Sequence, residues 1–326
     1  MFAVTAARLD PDDPLAGLEL GECPEPSPPP GWTTVTLKAA SLNHHDLWTL
    51  RGVGITEDRL PMVLGCDGAG VDEDGNEVVI HSVLSDPAWV GDETLDPGRS
   101  LLSERYPGTL AERIAVPRRN LVPKPAVLSW EEAACLPTAW LTAYRMLFTN
   151  SGVQPGGTIL VQGAGGGVAT ALIALGRAAG YRMWATSRDE AKQARALELG
   201  ADQVFPPGQR LPERVDAVME TVGAATWSHS VKALKPGGTI VVCGATSGPN
   251  PPAELRRIFF LQLRVVGSTM GTRAELDRLV RFCETTGVRP VIDEVLPLDR
   301  AAEGFAKLAA GEAFGKIVFT IGPAAR

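Results

Sequence analysis

The order of hydrophobic and polar residues changes character along the chain. Up to about residue 125, short segments alternate apolar and polar side chains, as half-buried β-strands do. The clearest of these segments are Trp32–Lys38, Glu77–Ile80 and Ala111–Val116. Gly and Pro residues separate them, and the pattern predicts no long amphipathic helix among them. The N-terminal part is therefore predicted to be rich in β-structure.

From Ser129 onward, helix-length segments alternate with short apolar strands. Ser129 and Glu132 have the spacing of a capping box and predict a helix that continues to about Thr149. The next predicted strands are Thr158–Val161, Arg182–Thr186, Ala217–Glu220 and Thr239–Cys243, and the helices between them are Ala169–Ala179, Glu190–Leu199 and Trp227–Leu234. Such βαβ units form a parallel sheet. Two helices, near 274–285 and 298–310, and a strand at 317–320 are predicted to follow.

Composition and charge exclude several classes of protein. The 326 residues are 44% hydrophobic and 21% charged, which is typical of a globular chain and not of a disordered one. The net charge of −7 argues against broad binding to nucleic acid or to anionic membranes. No apolar run is long enough to span a membrane, and no secretory signal is recognised. The five cysteines form no C-x-x-C pair, so we expect buried free thiols in a cytoplasmic protein.

A glycine-rich turn is the strongest local motif. It follows a predicted strand and opens a predicted helix, which is the context that a dinucleotide-binding fingerprint requires. Glycines let the backbone approach a pyrophosphate closely, and the N–H groups at the helix start bind the anion. The residues predicted to contact the cofactor here are Gly163, Ala164, Gly165, Gly166, Gly167 and Val168.

The end of the next strand indicates which nucleotide is bound. NAD-binding sites usually carry a carboxylate there, whereas this chain has Ser187 followed by Arg188, with Lys192 one helical turn further on. A hydroxyl and two cations suit the 2′-phosphate of NADPH. Asp189 is a nearby carboxylate, but it comes late enough to serve the helix start instead. We predict NADPH over NADH; a solvated charge cluster is the alternative interpretation.

Taken together, an ordered series of motifs resembles the medium-chain dehydrogenase/reductase superfamily. The landmarks besides the glycine turn are Ala40–Asp46, Leu64–Gly70, Tyr106–Glu112, Leu141–Tyr144, Leu199–Asp202 and Phe314–Val318. The resemblance implies an α/β protein with a GroES-like β domain and a doubly wound parallel Rossmann sheet. It places the GroES-like domain at residues 1–127, completed by 268–326, and the Rossmann domain at 128–267.

The resemblance also bears on zinc. Zinc alcohol dehydrogenases of this superfamily place their ligands at positions that correspond to Asn43, Cys66 and Thr138. Only Cys66 is a good ligand, and one thiolate does not hold zinc alone. The lobe that binds a structural zinc corresponds to Ser82–Arg105, which contains no cysteine. An unusual site built from His44, His45 and Cys66 is the alternative. The chain is more similar to the metal-free quinone oxidoreductases and enoyl reductases, with phrases close to a zinc-type alcohol dehydrogenase-like subgroup.

Without a metal, quinones and enones are the expected substrates, because conjugation spreads the charge that hydride addition delivers. Asn43 is expected to donate its amide to the substrate oxygen, and His45 to supply or relay the proton. A surface or ribose-contact role is the alternative for His45. Asp46 completes the predicted catalytic group, more as an orienting residue than as a reacting one. His44 corresponds to a position that contacts cofactor phosphates in relatives.

Further cofactor contacts follow from the carboxyl ends of the strands and from the resemblance. These candidates are Thr138, Thr142, Gly244, Ala245, Thr246, Gly267, Ser268, Thr269 and Lys316. By analogy with the superfamily, a homodimer is expected through an edge strand near Arg264–Val266. Two other functions stay open: a metal-independent alcohol dehydrogenase or aldehyde reductase, and a non-catalytic NADPH-binding protein. In each case the partner is a small molecule.

Overall fold

The computed structural model describes residues 1–322, which fold as two compact units. The first unit contains residues 1–141 and the chain from residue 270 onward, and the second contains residues 142–269. The first boundary therefore falls later than the position at 127/128 that the sequence suggests. The reason is that the helix after Ser129 packs on the first unit, where the Ala134 carbonyl accepts a hydrogen bond of 3.0 Å from Ser41 Oγ.

The strands and helices follow in chain order. The strands are β1 (Phe2–Ala6), β2 (Leu18–Glu22), β3 (Trp32–Ser41), β4 (Met62–Val63), β5 (Asp67–Asp72), β6 (Glu77–Ile80), β7 (Val83–Leu84), β8 (Ser100–Leu101), β9 (Arg113–Pro117), β10 (Leu121–Pro123), β11 (Thr158–Val161), β12 (Arg182–Thr186), β13 (Gln203–Phe205), β14 (Val215–Glu220), β15 (Leu234–Val242), β16 (Arg264–Gly267), β17 (Ile292–Pro297) and β18 (Lys316–Thr320). The α-helices are α1 (His44–Leu50), α2 (Trp130–Ala134), α3 (Leu141–Tyr144), α4 (Gly167–Ala178), α5 (Glu190–Leu199), α6 (Ala224–Ala233), α7 (Leu255–Phe260), α8 (Arg273–Thr286) and α9 (Ala301–Ala309). Short 3₁₀ turns occur at Pro14–Gly17, Glu57–Arg59, Glu93–Leu95, Arg118–Asn120 and Leu298–Arg300, and wider π-helical turns at Leu136–Trp140 and Arg145–Asn150.

The first unit is built around a mostly antiparallel sheet with the order β10-β6-β5-β3-β18-β17, in which β9 also pairs with β3. Smaller sheets join β2, β1 and β4, and join β7 and β8. Along β3 the side chains of Thr33, Val35 and Leu37 are buried while those between them are more exposed, as the alternating sequence predicts. Phe305 of α9 and Phe319 of β18 lie in the same core. The chain returns from residue 270 to complete this sheet.

The second unit is a six-stranded parallel sheet with the order β13-β12-β11-β14-β15-β16. The order reverses direction between β11 and β14, so the sheet is doubly wound. All four residues of β11 are buried because helices cover both faces. The carboxyl ends of the strands meet at one edge, which is where such sheets bind ligands. The predicted α/β fold class, with GroES-like and Rossmann parts, is confirmed.

Most predicted elements are present, and four of them have the predicted bounds: β6, β11, β12 and α5. The pattern missed two short helices, α1 and α7, of seven and six residues. Such helices have too few turns for a helical period to stand out. Within residues 1–322, no helix is both long and apolar enough to cross a membrane.

Candidate active site and cofactor site

The first polar group of the site caps helix α1. Asn43 lies just before the helix, and its backbone N–H donates to Asp46 Oδ2 at 2.8 Å. The other oxygen of Asp46 accepts the N–H of Gly65 at 2.9 Å. Burial raises the pKa of Asp46 to about 6. Both oxygens of Asp46, a predicted catalytic residue, therefore accept backbone N–H groups, as the expected orienting role requires.

A buried cation lies beside this cap and corrects two expectations. Lys316 is 2% exposed, and its Nζ donates to Leu42 O at 2.7 Å, Asn43 Oδ1 at 2.6 Å and Asp67 Oδ2 at 3.0 Å. Asn43 Nδ2 in turn donates to Asp67 Oδ2 at 2.9 Å and to Ser41 O at 3.4 Å. All the donor hydrogens of both groups are used inside the unit. Lys316 is thus not placed to bind a cofactor phosphate, and the Asn43 amide is not placed to donate to a substrate oxygen.

His45 lies between a thiol and a carboxylate. Its Nδ1 is 3.3 Å from Cys66 Sγ and 3.5 Å from Ser103 Oγ, and its Nε2 is 3.2 Å from Glu104 Oε1. Burial by itself lowers the pKa of His45, but the contact with Cys66 and the hydrogen bond to Glu104 outweigh it and raise the pKa well above its ordinary value. The raised pKa favours the protonated form of His45, and a protonated imidazole is a proton donor.

Glu104 is a polar residue of the site that the sequence did not predict. It lies 59 positions from His45 in the chain, and no local motif connects the two residues. Burial raises the pKa of Glu104, but hydrogen bonds from His45 and from the Leu101 N–H outweigh it and lower that pKa below its ordinary value. The two pKa shifts have opposite directions, and both favour the charged forms of Glu104 and His45.

The side chains expected to bind zinc do not fit a zinc ion. The Asn43 amide is occupied by Lys316, whose positive charge opposes a second cation there. Cys66 Sγ donates to Leu102 O at 3.1 Å, and burial raises the pKa of this thiol, which favours the neutral form that binds metal poorly. Thr138 offers only a hydroxyl. Among residues 1–322, no three His, Cys, Asp or Glu side chains are arranged to hold a metal ion.

Two predicted cofactor residues of the first unit lie apart from this hydrogen-bonded group. His44 is exposed at the first position of α1. Thr138 lies in the wide helical turn Leu136–Trp140, and its buried Oγ1 has no hydrogen-bond partner within the described part of the chain. An orphaned buried hydroxyl is consistent with a polar ligand, since such groups are normally paired.

In the second unit, the glycine turn has the shape that a pyrophosphate site needs. Gly163 has a φ of +82°, which favours glycine, and its N–H donates to Thr186 Oγ1 at 3.2 Å. Gly166 caps α4, a helix of 12 residues, with an extended backbone. A Cβ added to Gly165 would lie 2.8 Å from Lys192 Cδ. The turn therefore fits the phosphates of a dinucleotide at the start of α4.

The residues after β12 place positive charge at this turn. Lys192 Nζ lies 3.2 Å from the position of a Cβ on Gly165, so the lysine reaches the glycine turn from α5. Arg188 is exposed, and Ser187 is buried with its Oγ accepting the Asp189 N–H at 3.2 Å. Asp189 caps α5 by accepting the Lys192 backbone N–H at 3.0 Å. The nearby carboxylate therefore serves the helix start, and Lys192 is the cation that lies beside the glycine turn.

The remaining candidates of the second unit follow strands β15 and β16. Gly267 ends β16, while Gly244, Ala245, Thr246, Ser268 and Thr269 follow one of the two strands at the edge where α4 begins. Ser268 Oγ accepts a hydrogen bond of 3.0 Å from Asn150 Nδ2. Thr142 is buried in α3 instead.

A buried polar network behind the turn was not recognised from sequence. Gln162 accepts a hydrogen bond of 2.8 Å from Thr186 Oγ1 and donates one of 3.0 Å to Ser230 Oγ. Ser230 donates to Glu220 Oε2 at 2.5 Å, and Glu220 Oε1 accepts the Gly223 N–H at 3.0 Å. The network links the ends of β11, β12 and β14, so it fixes the turn from behind. Polar residues at the ends of apolar strands were its only sequence signal.

Known proteins match the chain over nearly its whole length. Residues 29–126 match the family "Alcohol dehydrogenase GroES-like domain", and residues 167–285 match "Zinc-binding dehydrogenase". The zinc-type alcohol dehydrogenase-like protein YogA of Leptosphaeria maculans is 32% identical over 93% of this chain and 94% of that protein.

Two solved structures are also similar. The structure of an NAD-dependent alcohol dehydrogenase is 38% identical, with a TM-score of 0.90, and the match covers 99% of this chain and 100% of that one. The 2-octenoyl-CoA carboxylase reductase CinF, solved with NADP and 2-octenoyl-CoA, is 26% identical with a TM-score of 0.89, over 100% of this chain and 88% of that one.

Proposed function

The chain belongs to the medium-chain dehydrogenase/reductase superfamily of oxidoreductases, and we propose that it uses NADPH to reduce a conjugated carbonyl compound, an enone or a quinone, without a metal ion. The observation that carries this proposal is the position of the His45 ring between Cys66 and Glu104; of these, Cys66 corresponds to a ligand position of zinc relatives. A proton donor at that place suits a reduction that needs one hydride and one proton.

The cofactor preference rests on the charges around the glycine turn. Residues 163–168 would hold the pyrophosphate, and Ser187, Arg188 and Lys192 would hold the 2′-phosphate. Arginine and lysine favour a phosphate over a bare ribose hydroxyl. Bound NADPH would supply the hydride. One similar structure is described as NAD-dependent, and we attribute the proposed NADPH preference of this chain to these three side chains.

The protein's own residues would handle the proton. Hydride addition to a conjugated carbonyl leaves negative charge on an enolate or hydroquinone oxygen. His45 would neutralise that charge by giving up the proton of its imidazolium. A metal-independent aldehyde reductase is the second candidate, favoured by the likeness to an alcohol dehydrogenase structure.

We also propose that the protein is a cytoplasmic homodimer. All five cysteines are free thiols, as expected in a reducing compartment. Strand β16 ends the order of the parallel sheet, and Val265 on it is 48% exposed. Beside it in sequence, Leu255, Phe259 and Phe260 of α7 are 69%, 69% and 77% exposed. Apolar side chains next to an open strand edge favour pairing with a second copy.

A substrate panel tests the function. Loss of NADPH absorbance is followed with enones (including enoyl thioesters), quinones and simple aldehydes, for the wild type and for His45→Asn, and zinc is measured in the purified protein. We expect turnover of conjugated substrates and a loss of about 10²–10⁴-fold in kcat for His45→Asn, since that is the usual contribution of a general acid. Turnover of aldehydes alone, or one zinc per chain, would contradict the proposal.

A further inference from the structure

We infer that Glu104 is the positioning residue of this site: its carboxylate fixes the orientation of the His45 ring through the contact with Nε2. This inference rests on the proposed function of His45. It begins from the way the two carboxylate oxygens divide their partners. Oε1 faces His45 Nε2 at 3.2 Å, while Oε2 accepts the Leu101 N–H at 2.8 Å and the Ser100 hydroxyl at 3.3 Å. The backbone bond to Oε2 prevents the carboxylate from turning away from the imidazole.

The His45 ring is held from its other side as well. Nδ1 faces Cys66 Sγ at 3.3 Å and Ser103 Oγ at 3.5 Å, so both ring nitrogens have partners. A ring with a partner at each nitrogen keeps one orientation, because a flip exchanges both contacts at once. Removing Glu104 would leave only the weaker contacts with a buried thiol and a hydroxyl. The carboxylate is thus the group that determines which way the ring faces.

The backbone around Glu104 is shaped for this contact. Ser103 has a φ of +66°, a left-handed conformation that costs a non-glycine residue about 1 kcal/mol or more. Gly54 approaches so closely that a Cβ added there would lie 2.9 Å from Glu104 Oε1. A strained residue beside Glu104 and a glycine packed against its carboxylate both indicate that the position of this carboxylate matters.

The other titratable groups that face His45 do not hold its ring in the way that Glu104 does. Cys66 is buried, and its Sγ donates to Leu102 O. Asp46 has both oxygens bound to backbone N–H groups. Glu104 has a 21% exposed side chain against 13% for His45, so it is the member of the pair on the solvent side. Glu104 therefore keeps Nε2 in contact with a carboxylate while the ring acts as the proton donor.

The test replaces the charge and keeps the shape. Glu104→Gln is compared with Glu57→Gln, an exposed glutamate in the same unit that serves as the control. The chain has only four histidines, so ¹⁵N-histidine NMR resolves His45, assigned with His45→Asn. In Glu104→Gln we expect the titration midpoint of His45 to fall by about one pH unit or more, since a carboxylate in contact shifts a neighbour by that much. Glu57→Gln should leave it unchanged.

Kinetics then separates a positioning role from a structural one. With a conjugated substrate, Glu104→Gln should lower kcat about tenfold to hundredfold near pH 8 and less near pH 6, with KM for NADPH unchanged. The pH profile should move with the NMR midpoint. An unchanged His45 midpoint in Glu104→Gln would overturn the inference, and so would a shifted midpoint with an unchanged kcat profile. If the wild type turns over no conjugated substrate, the proposed function fails, and the NMR midpoint still decides whether Glu104 holds His45.

Discussion

Replacing Lys316 by methionine tests how much this buried cation stabilises the first unit. Lys316 and Asp67 are 2% and 0% exposed, and the ammonium makes three hydrogen bonds, including one of 3.0 Å to Asp67 Oδ2. In Lys316→Met the Asp67 carboxylate keeps its bonds from Ser41 and Asn43 but loses its counter-charge. Breaking a buried pair in this way costs about 3–5 kcal/mol. The Asp67 carboxylate can instead be protonated, which costs about 4 kcal/mol for an ordinary aspartate at pH 7. The loss of unfolding free energy in Lys316→Met is therefore limited to the same range.

The free energy of unfolding is measured with urea at about pH 7 and about pH 5, followed by circular dichroism. We expect a loss of about 3–5 kcal/mol at pH 7 that shrinks by up to about 1.4 kcal/mol per pH unit on acidification. The sign follows because the uncompensated carboxylate takes up a proton on folding, which stabilises the folded state at low pH. The double variant Lys316→Met/Asp67→Asn removes both charges of this pair and should recover about 2 kcal/mol or more. A loss below about 1 kcal/mol, or a double variant less stable than Lys316→Met, would refute the reasoning.

Three further predictions concern the cofactor, the assembly and the helix cap. Arg188→Ala combined with Lys192→Ala should reduce kcat/KM with NADPH about tenfold to hundredfold, because charge-assisted bonds to a phosphate are lost; unchanged selectivity against NADH in steady-state assays would contradict the assignment. Phe260→Asp should convert the proposed dimer to a monomer in light scattering, because it puts a charge into the apolar surface of α7. A dimer that persists in this variant would show that the contact between the copies lies elsewhere. Asp46→Ala should cost about 2–5 kcal/mol in urea unfolding, because two backbone N–H groups lose their acceptor. The pKa of Asp46 is raised to about 6 in the folded protein. Its protonation therefore contributes fully to stability below about pH 4, and this contribution is lost as the pH rises through 6. The loss of unfolding free energy in Asp46→Ala should accordingly become smaller over the same pH range.

Sequence alone was enough to predict most of the elements, the fold class and the place of the glycine turn. These features depend on local signals: alternation in β3, the capping box at Ser129 and the glycines before α4. Strand β11 and helix α5 have their predicted bounds for the same reason. The boundary of the first unit was less accessible, because α2 looks like the start of the alternating region but packs on β3 through Ser41.

The roles of the polar side chains were decided only by the tertiary structure. Asn43 was expected to act on substrate, yet its amide binds Lys316, which lies 273 positions away in the chain. Glu104 was not recognised at all, although it is hydrogen-bonded to His45 across 59 positions. A side chain's chemistry depends on which donors, acceptors and charges surround it, and partners so distant in sequence leave no periodic or local pattern. The order of motifs along the chain therefore indicates where the candidate site lies. The packing of the strands determines which polar groups of that site are available for chemistry.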